Sequence, residues 1–280
     1  MVQSATFFRN NRATIELLAR RFAGHPNIDA DSIRAWIDQF DRQDGELALR
    51  ILTSINYYDQ QSIQDAYALV HSGLKRRLGA DLESTFFFPY GYTGDSSGAM
   101  IYDYRMGNQL EGTPIIERFL SIRDLPSLNL QVTPPNVVFV DDMVGSGKQA
   151  AGIWKGEGGR RGTPYESMIR PDARLYLAVV VGFDRGITHV RRETRGRLNV
   201  LTPNPLDDRN RVFEPACRLF TAAEKESLLH YCGRALPTNP KGHDDVGALV
   251  VFQHNCPDDS LPILWSSNST TGWRALFQKR

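Results

Sequence analysis

Two adjacent acids and a glycine-bearing turn follow an apolar run in the middle of the sequence. The run is Val137–Val140, the acids are Asp141 and Asp142, and the turn contains Gly145 and Gly147. Adjacent carboxylates can accept charge-assisted hydrogen bonds from a vicinal diol, such as the 2′- and 3′-hydroxyls of a ribose. Glycines let backbone N–H groups approach a phosphate, and the N-terminus of a following helix adds partial positive charge. The pattern therefore predicts a site that holds a sugar by its diol and its 5′-phosphate by the turn.

Three polar residues complete this turn. Ser146 and Lys148 add a hydroxyl and an ammonium to the predicted phosphate site, and Gln149 follows them. A nucleoside-triphosphate P-loop is the rival interpretation of Gly147-Lys148. That pattern requires glycine where Asp142 stands and serine or threonine where Gln149 stands, so the match is poor.

Acid pairs alone carry little information, because the sequence contains others that no apolar strand precedes. They are Asp207-Asp208, Asp244-Asp245 and Asp258-Asp259. The apolar run before Asp141 and the turn after Asp142 make that pair different. A strand, turn and helix with a purely structural role is the alternative for this segment.

The elements that must position this site change in character near Gly79. Before it, apolar residues recur at helical spacing, with stripes at Ile33-Trp36-Ile37-Phe40, at Ala48-Ile51-Leu52-Ile55 and from Ile63 to Leu74. After it, short apolar runs alternate with loops rich in glycine and proline, which is typical of an α/β domain. The predicted strands are Thr85–Pro89, Val137–Val140, Leu175–Phe183, Leu198–Leu201 and Ala248–Phe252.

We therefore predict an α/β fold with a mostly parallel, twisted sheet flanked by helices. A helical N-terminal region would cover residues 1–80, and the α/β domain would cover residues 81–280. Ligands of open α/β sheets bind at the carboxyl ends of the strands, which is where the acid pair is expected. The loop Lys155–Gly162 holds four glycines and is the candidate for a flexible flap.

Composition excludes several classes of protein. The 33 Lys plus Arg and 32 Asp plus Glu leave a formal net charge of +1, unlike the basic excess of a dedicated nucleic-acid binder. No run of 18 apolar residues and no signal peptide is present, so we expect a cytoplasmic protein. The three cysteines, Cys217, Cys232 and Cys256, match no metal-binding spacing and are predicted to be reduced and structural.

An excess of arginine marks residues 184 to 211. This segment could bind a nucleic-acid backbone or the acidic face of a partner protein. It could equally form a solvated edge that covers a β-hairpin. The arginines are Arg185, Arg191, Arg192, Arg195, Arg197, Arg209 and Arg211.

The segment Val137–Gln149 resembles the phosphoribosyl-diphosphate signature of type I phosphoribosyltransferases: four apolar residues, Asp-Asp, two apolar residues and a small-small-Gly turn. That family usually continues the turn as Thr-Gly-x-Thr, and here Gln149 replaces the last threonine. With the tail segments Val250–Trp265 and Trp273–Phe277, the chain is similar to phosphoribosyltransferase-like proteins of bacterial conflict systems. The similarity extends over most of residues 31–280.

This resemblance implies a ligand, a reaction and a cofactor. The ligand would be phosphoribosyl diphosphate or a nucleotide, and Mg²⁺ would bridge the diphosphate and the ribose hydroxyls while pyrophosphate leaves C1. Asp141 and Asp142 would be the catalytic residues, contacting the metal indirectly through ribose and water. Gly145, Ser146, Gly147, Lys148 and Gln149 would bind the 5′-phosphate.

The resemblance also implies a second loop that binds pyrophosphate. In type I phosphoribosyltransferases the loop after the first core strand holds pyrophosphate through its backbone amides. The alternative for this loop is an ordinary turn, and the alternative for Arg105 is a solvated arginine on a helix. The expected residues are Gly94, Ser96, Ser97 and Gly98, with Arg105 reaching the diphosphate.

The related conflict-system proteins are associated with anti-phage defence, some of them beside retron reverse transcriptases. For this chain the resemblance implies a toxic effector with a defence-system partner, such as a reverse transcriptase complex. Two other functions stay open. One is a non-catalytic nucleotide sensor on the same fold, and the other is an interaction protein that docks on a nucleoprotein through the arginine-rich segment.

Overall fold

A computed structural model gives the architecture of residues 3–91, 97–128, 136–157 and 164–277. Contacts between residues group the chain into two compact units. The terminal unit comprises Met1–Asp59 and Asp208–Arg280, and the central unit comprises Gln60–Asp207. This division rests on contacts alone, and the domain boundary predicted near residue 80 stays a prediction.

The described residues form twelve α-helices and seven strands. The helices are α1 (Ala5–Asn10), α2 (Arg12–Arg21), α3 (Ala30–Ile37), α4 (Gly45–Thr53), α5 (Gln60–Leu78), α6 (Ser97–Gly107), α7 (Leu125–Leu128), α8 (Lys148–Lys155), α9 (Tyr165–Met168), α10 (Asp184–Glu193), α11 (Ala222–Ala235) and α12 (Pro262–Trp265). The strands are β1 (Asn56–Tyr58), β2 (Phe86–Pro89), β3 (Asn136–Val144), β4 (Arg174–Phe183), β5 (Leu198–Leu201), β6 (Asn204–Leu206) and β7 (Val250–Phe252). Among the described residues, no helix has both the length and the apolar character needed to cross a bilayer.

The central unit is built on a parallel sheet with strand order β2-β3-β4-β5, and β6 also pairs with β4. Each of these pairings is parallel. Residues 137–140 of β3 and 175–183 of β4 are buried, as the continuous runs of apolar residues predicted for central parallel strands. The predicted α/β fold with a mostly parallel sheet is confirmed.

Helices cover both faces of this sheet. Adjacent residues of a strand point to opposite faces. Phe88 packs in one core cluster with Phe139 and with Trp154 of α8, whereas Phe87 contacts Tyr104 of α6 with ring centroids 5.4 Å apart. The sheet is therefore buried between α8 and α10 on one face and α5 and α6 on the other.

The arginine-rich segment does not cover a β-hairpin, and that part of the prediction is wrong. Residues 184–193 form α10, and β5 and β6 both run parallel to β4. The helix begins directly where β4 ends, because Phe183 is extended and Asp184 is already helical.

Aromatic residues from both ends of the chain form the core of the terminal unit. Trp36 and Trp273 lie 6.3 Å apart between ring centroids, and both indoles donate to the Ile263 carbonyl, at 3.0 and 3.2 Å. Phe40 contacts Tyr231 at 4.5 Å. The tail segments that carry the family resemblance thus pack against α3. β7 pairs with β1 in a separate two-stranded parallel sheet.

All three cysteines are buried thiols, as predicted for structural residues. Burial raises the pKa of the Cys232 thiol to about 12. This thiol therefore stays protonated near neutral pH, which removes the thiolate that nucleophilic chemistry needs.

We expect Trp273→Ala to lower the free energy of unfolding by about 3–5 kcal/mol, because it opens a cavity in the aromatic core and deletes a buried hydrogen bond. Urea unfolding followed by tryptophan fluorescence measures this change. The matched control is Leu229→Ala in the same unit, where the side chain is 36% exposed and the expected change is within about 0.5 kcal/mol. Equal effects of the two changes would contradict this account of the core.

Candidate functional site

Strand β3 carries Asp141 and Asp142 out of the buried part of the sheet. Val140 is fully buried, whereas the two acids after it are partly exposed. The pairing of β2 with β3 ends at Pro89 and Val140, while β4 stays paired with β3 up to Gly182 opposite Val144. The acids therefore lie at the carboxyl edge of the sheet, where they were predicted.

The backbone at Asp141 is fixed from two directions. Its Oδ1 accepts a hydrogen bond from the Asp142 N–H at 3.0 Å. Its carbonyl oxygen accepts a hydrogen bond from the Tyr67 hydroxyl of α5 at 2.7 Å. Tyr67 is fully buried, and burial, followed by the charges of Asp142, Asp141 and Asp103, raises the pKa of its hydroxyl well above the ordinary value. Tyr67 therefore stays protonated and keeps donating to the carbonyl.

Asp103 of α6 belongs to the same acidic surroundings. It is 8% exposed and accepts hydrogen bonds from Gln60 at 3.4 Å and from Gln64 at 3.2 Å, both on α5. These bonds compensate the burial of its carboxylate. No local pattern points to this residue, because its partners lie about 40 residues away along the chain.

The turn after β3 is packed directly against the first turn of α10. Gly147 has a left-handed backbone with φ of 79°, and a Cβ added there would lie 2.4 Å from the Gly186 carbonyl oxygen. A Cβ added at Gly186 would lie 2.0 Å from the Gly145 carbonyl oxygen. Backbone meets backbone here, so the glycines are required by packing as well as by the phosphate site that their pattern predicts.

Ser146, Lys148 and Gln149 occupy the turn and the start of α8. The Ser146 hydroxyl accepts a hydrogen bond from the Lys148 N–H at 3.2 Å. Lys148 and Gln149 are the first two residues of α8, and both are exposed. The first N–H groups of a helix have no acceptor within the helix, so this position suits an anion. Their role in binding phosphate stays a prediction.

The predicted pyrophosphate loop is described only in part. Gly94 and Ser96 lie outside the described residues, as do residues 158–162 of the candidate flap. Ser97, of which only the backbone is described, begins α6, and Gly98 lies in its first turn. Arg105 lies in the last turn of α6, where it pairs with Glu111 at 2.5 Å and stands over the Phe119 ring at 5.9 Å. A diphosphate would have to compete with this ion pair for Arg105.

A basic face of α10 was missed in the sequence. A cavity of about 390 Å³ lies beside Ser146. The number of arginines along the chain does not reveal this face. The helical spacing i, i+3, i+4 and i+7 does, because it places Arg185, Thr188, His189 and Arg192 on one side of α10. The α10 residues that line the cavity are Asp184, Arg185, Thr188, His189 and Arg192.

Two other arginines of the segment are held by the fold. Arg197 stands over the Trp154 ring at 5.4 Å and donates to the Arg170 carbonyl at 2.7 Å. Arg211, 8% exposed, pairs with Asp208 at 3.2 Å and Glu214 at 2.9 Å. These contacts give both arginines structural roles. The other arginines of the segment are exposed: Arg185, Arg191 and Arg192 on α10, Arg195 just after it, and Arg209 farther along the chain.

The fold and the edge of its parallel sheet define a phosphoribosyltransferase-like protein. The chain belongs to the PRTase-CE family, whose model matches residues 33–279. This match confirms the resemblance to phosphoribosyltransferase-like proteins, and the link to conflict systems stays a prediction. Searches of curated proteins and of solved structures returned no match.

Gly186→Ala tests the backbone contact between the turn and α10. We expect it to destabilise the protein by about 1–3 kcal/mol, because the new methyl group overlaps the Gly145 carbonyl and neither backbone can move freely. Gly73→Ala in α5 is the control. Its Cβ would meet an Arg76 guanidinium nitrogen at 3.9 Å, so it should be neutral or stabilise by about 0.5–1 kcal/mol. Thermal and urea unfolding compare the two, and a neutral Gly186→Ala would contradict the contact.

Tyr67→Phe tests the anchor on the acid-bearing strand. The change leaves the Asp141 carbonyl without its buried donor, which should cost about 1–3 kcal/mol. Tyr176→Phe on β4 removes a hydroxyl of a residue that is 5% exposed and should change stability by less than about 0.5 kcal/mol. If both changes were equally mild in urea unfolding, the hydrogen bond would not hold the strand.

Proposed function

We propose that this chain binds phosphoribosyl diphosphate or a nucleotide at the junction of β3 and α8, and that it transfers or hydrolyses the phosphoribosyl group. One observation carries the proposal. Two partly exposed acids lie near the end of a buried strand, and the turn after the strand, with a left-handed glycine, leads directly into a helix. Membership of the PRTase-CE family over residues 33–279 supports the same function.

Each part of the junction has a task in this reaction. Asp141 and Asp142 accept hydrogen bonds from the ribose hydroxyls, and the turn with the start of α8 holds the 5′-phosphate. The bond at C1 breaks, which is C1–O in phosphoribosyl diphosphate and C1–N in a nucleotide, and its electron pair leaves with the pyrophosphate oxygen or the base nitrogen. The ribose then carries positive charge, which the nearby carboxylates stabilise. An acceptor or a water molecule forms the new bond to C1 and releases its proton.

Mg²⁺ is part of this proposal. Carboxylate oxygens are suitable ligands for it, and Mg²⁺ is commonly held by one or two carboxylates together with substrate phosphates and water. Among the described residues, no group of three His, Cys, Asp or Glu side chains is arranged to hold a metal ion. We therefore place Asp141 and Asp142 next to ribose and metal-bound water, with the diphosphate supplying further ligands. The bound ion would neutralise charge on the departing pyrophosphate.

A non-catalytic sensor is the second candidate, and Gln149 favours it. Glutamine replaces the threonine that the related signature has at the end of the phosphate loop, and it stands exposed in the first turn of α8. A sensor would bind the same ligand without breaking the bond at C1. Release of pyrophosphate from phosphoribosyl diphosphate, with and without a mixture of acceptors, distinguishes the two functions.

The biological role that we propose is that of an effector in bacterial anti-phage defence. Its support is the resemblance of Val137–Gln149 and of the tail segments to proteins of conflict systems, some of them associated with retrons. A partner that restrains it until infection, such as a reverse transcriptase complex, belongs to this proposal. Metabolite profiles of cells before and after induction test it, since an active effector depletes a nucleotide or phosphoribosyl pool.

We expect the double variant Asp141→Asn, Asp142→Asn to bind ribose 5-phosphate or phosphoribosyl diphosphate about 100-fold more weakly, since each charge-assisted hydrogen bond contributes about 1.5–3 kcal/mol. Asparagine keeps an Oδ1 that can accept the Asp142 N–H bond, so the strand should stay folded. Calorimetric titration measures the affinity, and metabolite profiling of cells that express the variant measures the cellular effect.

The control neutralises two exposed acids of the same unit, Asp65→Asn with Glu83→Gln. It removes the same charge and should bind the ligand as the unchanged protein does. Unaltered binding and unaltered metabolite pools in the Asp141 and Asp142 variant, with circular dichroism like that of the unchanged protein, would overturn the assignment.

A further inference from the structure

The cavity beside the phosphate turn has a chemistry of its own. It measures about 390 Å³ and is bounded by Ser146 on one side and by α10 on the other. Arg185 and Arg192 bring two permanent positive charges to its lining, against one negative charge from Asp184. The hydroxyls of Ser146 and Thr188 add neutral donors. The lining is therefore suited to an anion.

Contacts within α10 orient two of these groups. An Arg192 Nη2 donates to His189 Nδ1 at 2.9 Å, and Arg192 Nε donates to Glu193 at 2.9 Å. Because arginine can only donate, Nδ1 must be the acceptor, and the N–H of a neutral ring lies on Nε2. Glu193 in turn pairs with Lys155 of α8 at 2.5 Å, and these two hydrogen bonds lower the pKa of Glu193 to about 2. The carboxylate that anchors Arg192 thus stays charged at neutral pH.

The cavity and the phosphate turn share a residue and a backbone contact. Ser146 belongs to the turn and also lines the cavity. Gly186, one position after Arg185, has its backbone against Gly145 of the turn. An anion in the cavity would therefore sit next to a phosphate held by the turn, and a single ligand could reach both.

We propose that the cavity is a second anion subsite, which binds the phosphate that follows the 5′-phosphate of a ribose. This inference rests on the proposed function of the turn and deepens it. Of the two ligands proposed above, the subsite favours a nucleotide that is extended through a 5′-pyrophosphate linkage over phosphoribosyl diphosphate, whose ribose ends in a 5′-monophosphate. The diol end of the ligand lies at Asp141 and Asp142, and the extended anionic end lies on α10.

Affinities for two probes test the subsite, measured by calorimetric titration at constant salt and Mg²⁺. Ribose 5-phosphate engages the diol and turn positions alone, and ADP-ribose adds the pyrophosphate. We expect the unchanged protein to bind ADP-ribose about tenfold more tightly, which is the size of one charge-assisted contact. Arg185→Gln with Arg192→Gln should abolish this preference and leave the affinity for ribose 5-phosphate within about twofold.

Two further variants make the test specific. Arg191→Gln, the match for Arg192→Gln alone, removes one positive charge from an exposed position of α10 that does not line the cavity, and it should keep the preference. Asp184→Asn removes the one negative charge of the lining and should raise the affinity for ADP-ribose about two- to threefold, with no change for ribose 5-phosphate.

The outcomes separate the two proposals. If ribose 5-phosphate binds and depends on Asp141 and Asp142, but ADP-ribose is not preferred, the subsite is refuted and the function of the turn stands. If neither probe binds, both fall. Equal losses from Arg191→Gln and Arg192→Gln, with tight binding of a single-stranded oligonucleotide, would replace the subsite by a diffuse basic surface for nucleic acid.

Discussion

The site depends on a place where two backbones touch without side chains between them. The turn after β3 rests on Gly186, and any side chain there would meet the Gly145 carbonyl. Because α10 begins directly at the end of β4, this contact ties the turn to the neighbouring strand as well as to its own. Val144 pairs with Gly182, so the two strands end at the same edge of the sheet. The turn after β3 therefore takes its position from the parallel sheet, in which residues 137–140 and 175–183 are buried.

The acids are held from the opposite face. The Tyr67 hydroxyl of α5 donates to the Asp141 carbonyl. Because burying a hydroxyl without a hydrogen-bond partner costs free energy, this bond is favoured in the folded protein. The strand thus has a helix contact on each side at the point where β2 stops pairing with it. On its other edge the strand stays paired with β4, Asp141 with Val179 and Met143 with Val181. Packing on both faces keeps these carboxylates at a fixed distance from the turn, which geometry-dependent recognition of a sugar phosphate requires.

Local patterns predicted the sheet well and long-range packing poorly. Leu198–Leu201 was found with the predicted bounds, and the valine-rich run that predicted a central strand is β3, although pairing with β4 extends it to Val144. Nothing local could show that Trp273 packs with Trp36, because the contact joins residues more than 200 positions apart. The prediction of a β-hairpin near the arginines was wrong, because it rested on the density of charge along the chain and not on the helical spacing of residues 184–193.

Groups of opposite charge lie on the two sides of the turn. The carboxylates of Asp141 and Asp142 lie at the strand end, and the arginines of α10 lie beyond the turn. A ligand with a neutral diol at one end and phosphate at the other is attracted in one orientation and repelled in the reverse, because a phosphate beside the acids would meet like charge. The same polarity disfavours ligands that lack either end. Orientation and selectivity for the proposed ligand would thus follow from one arrangement, in which the glycine contact holds the turn between the acidic and the basic groups.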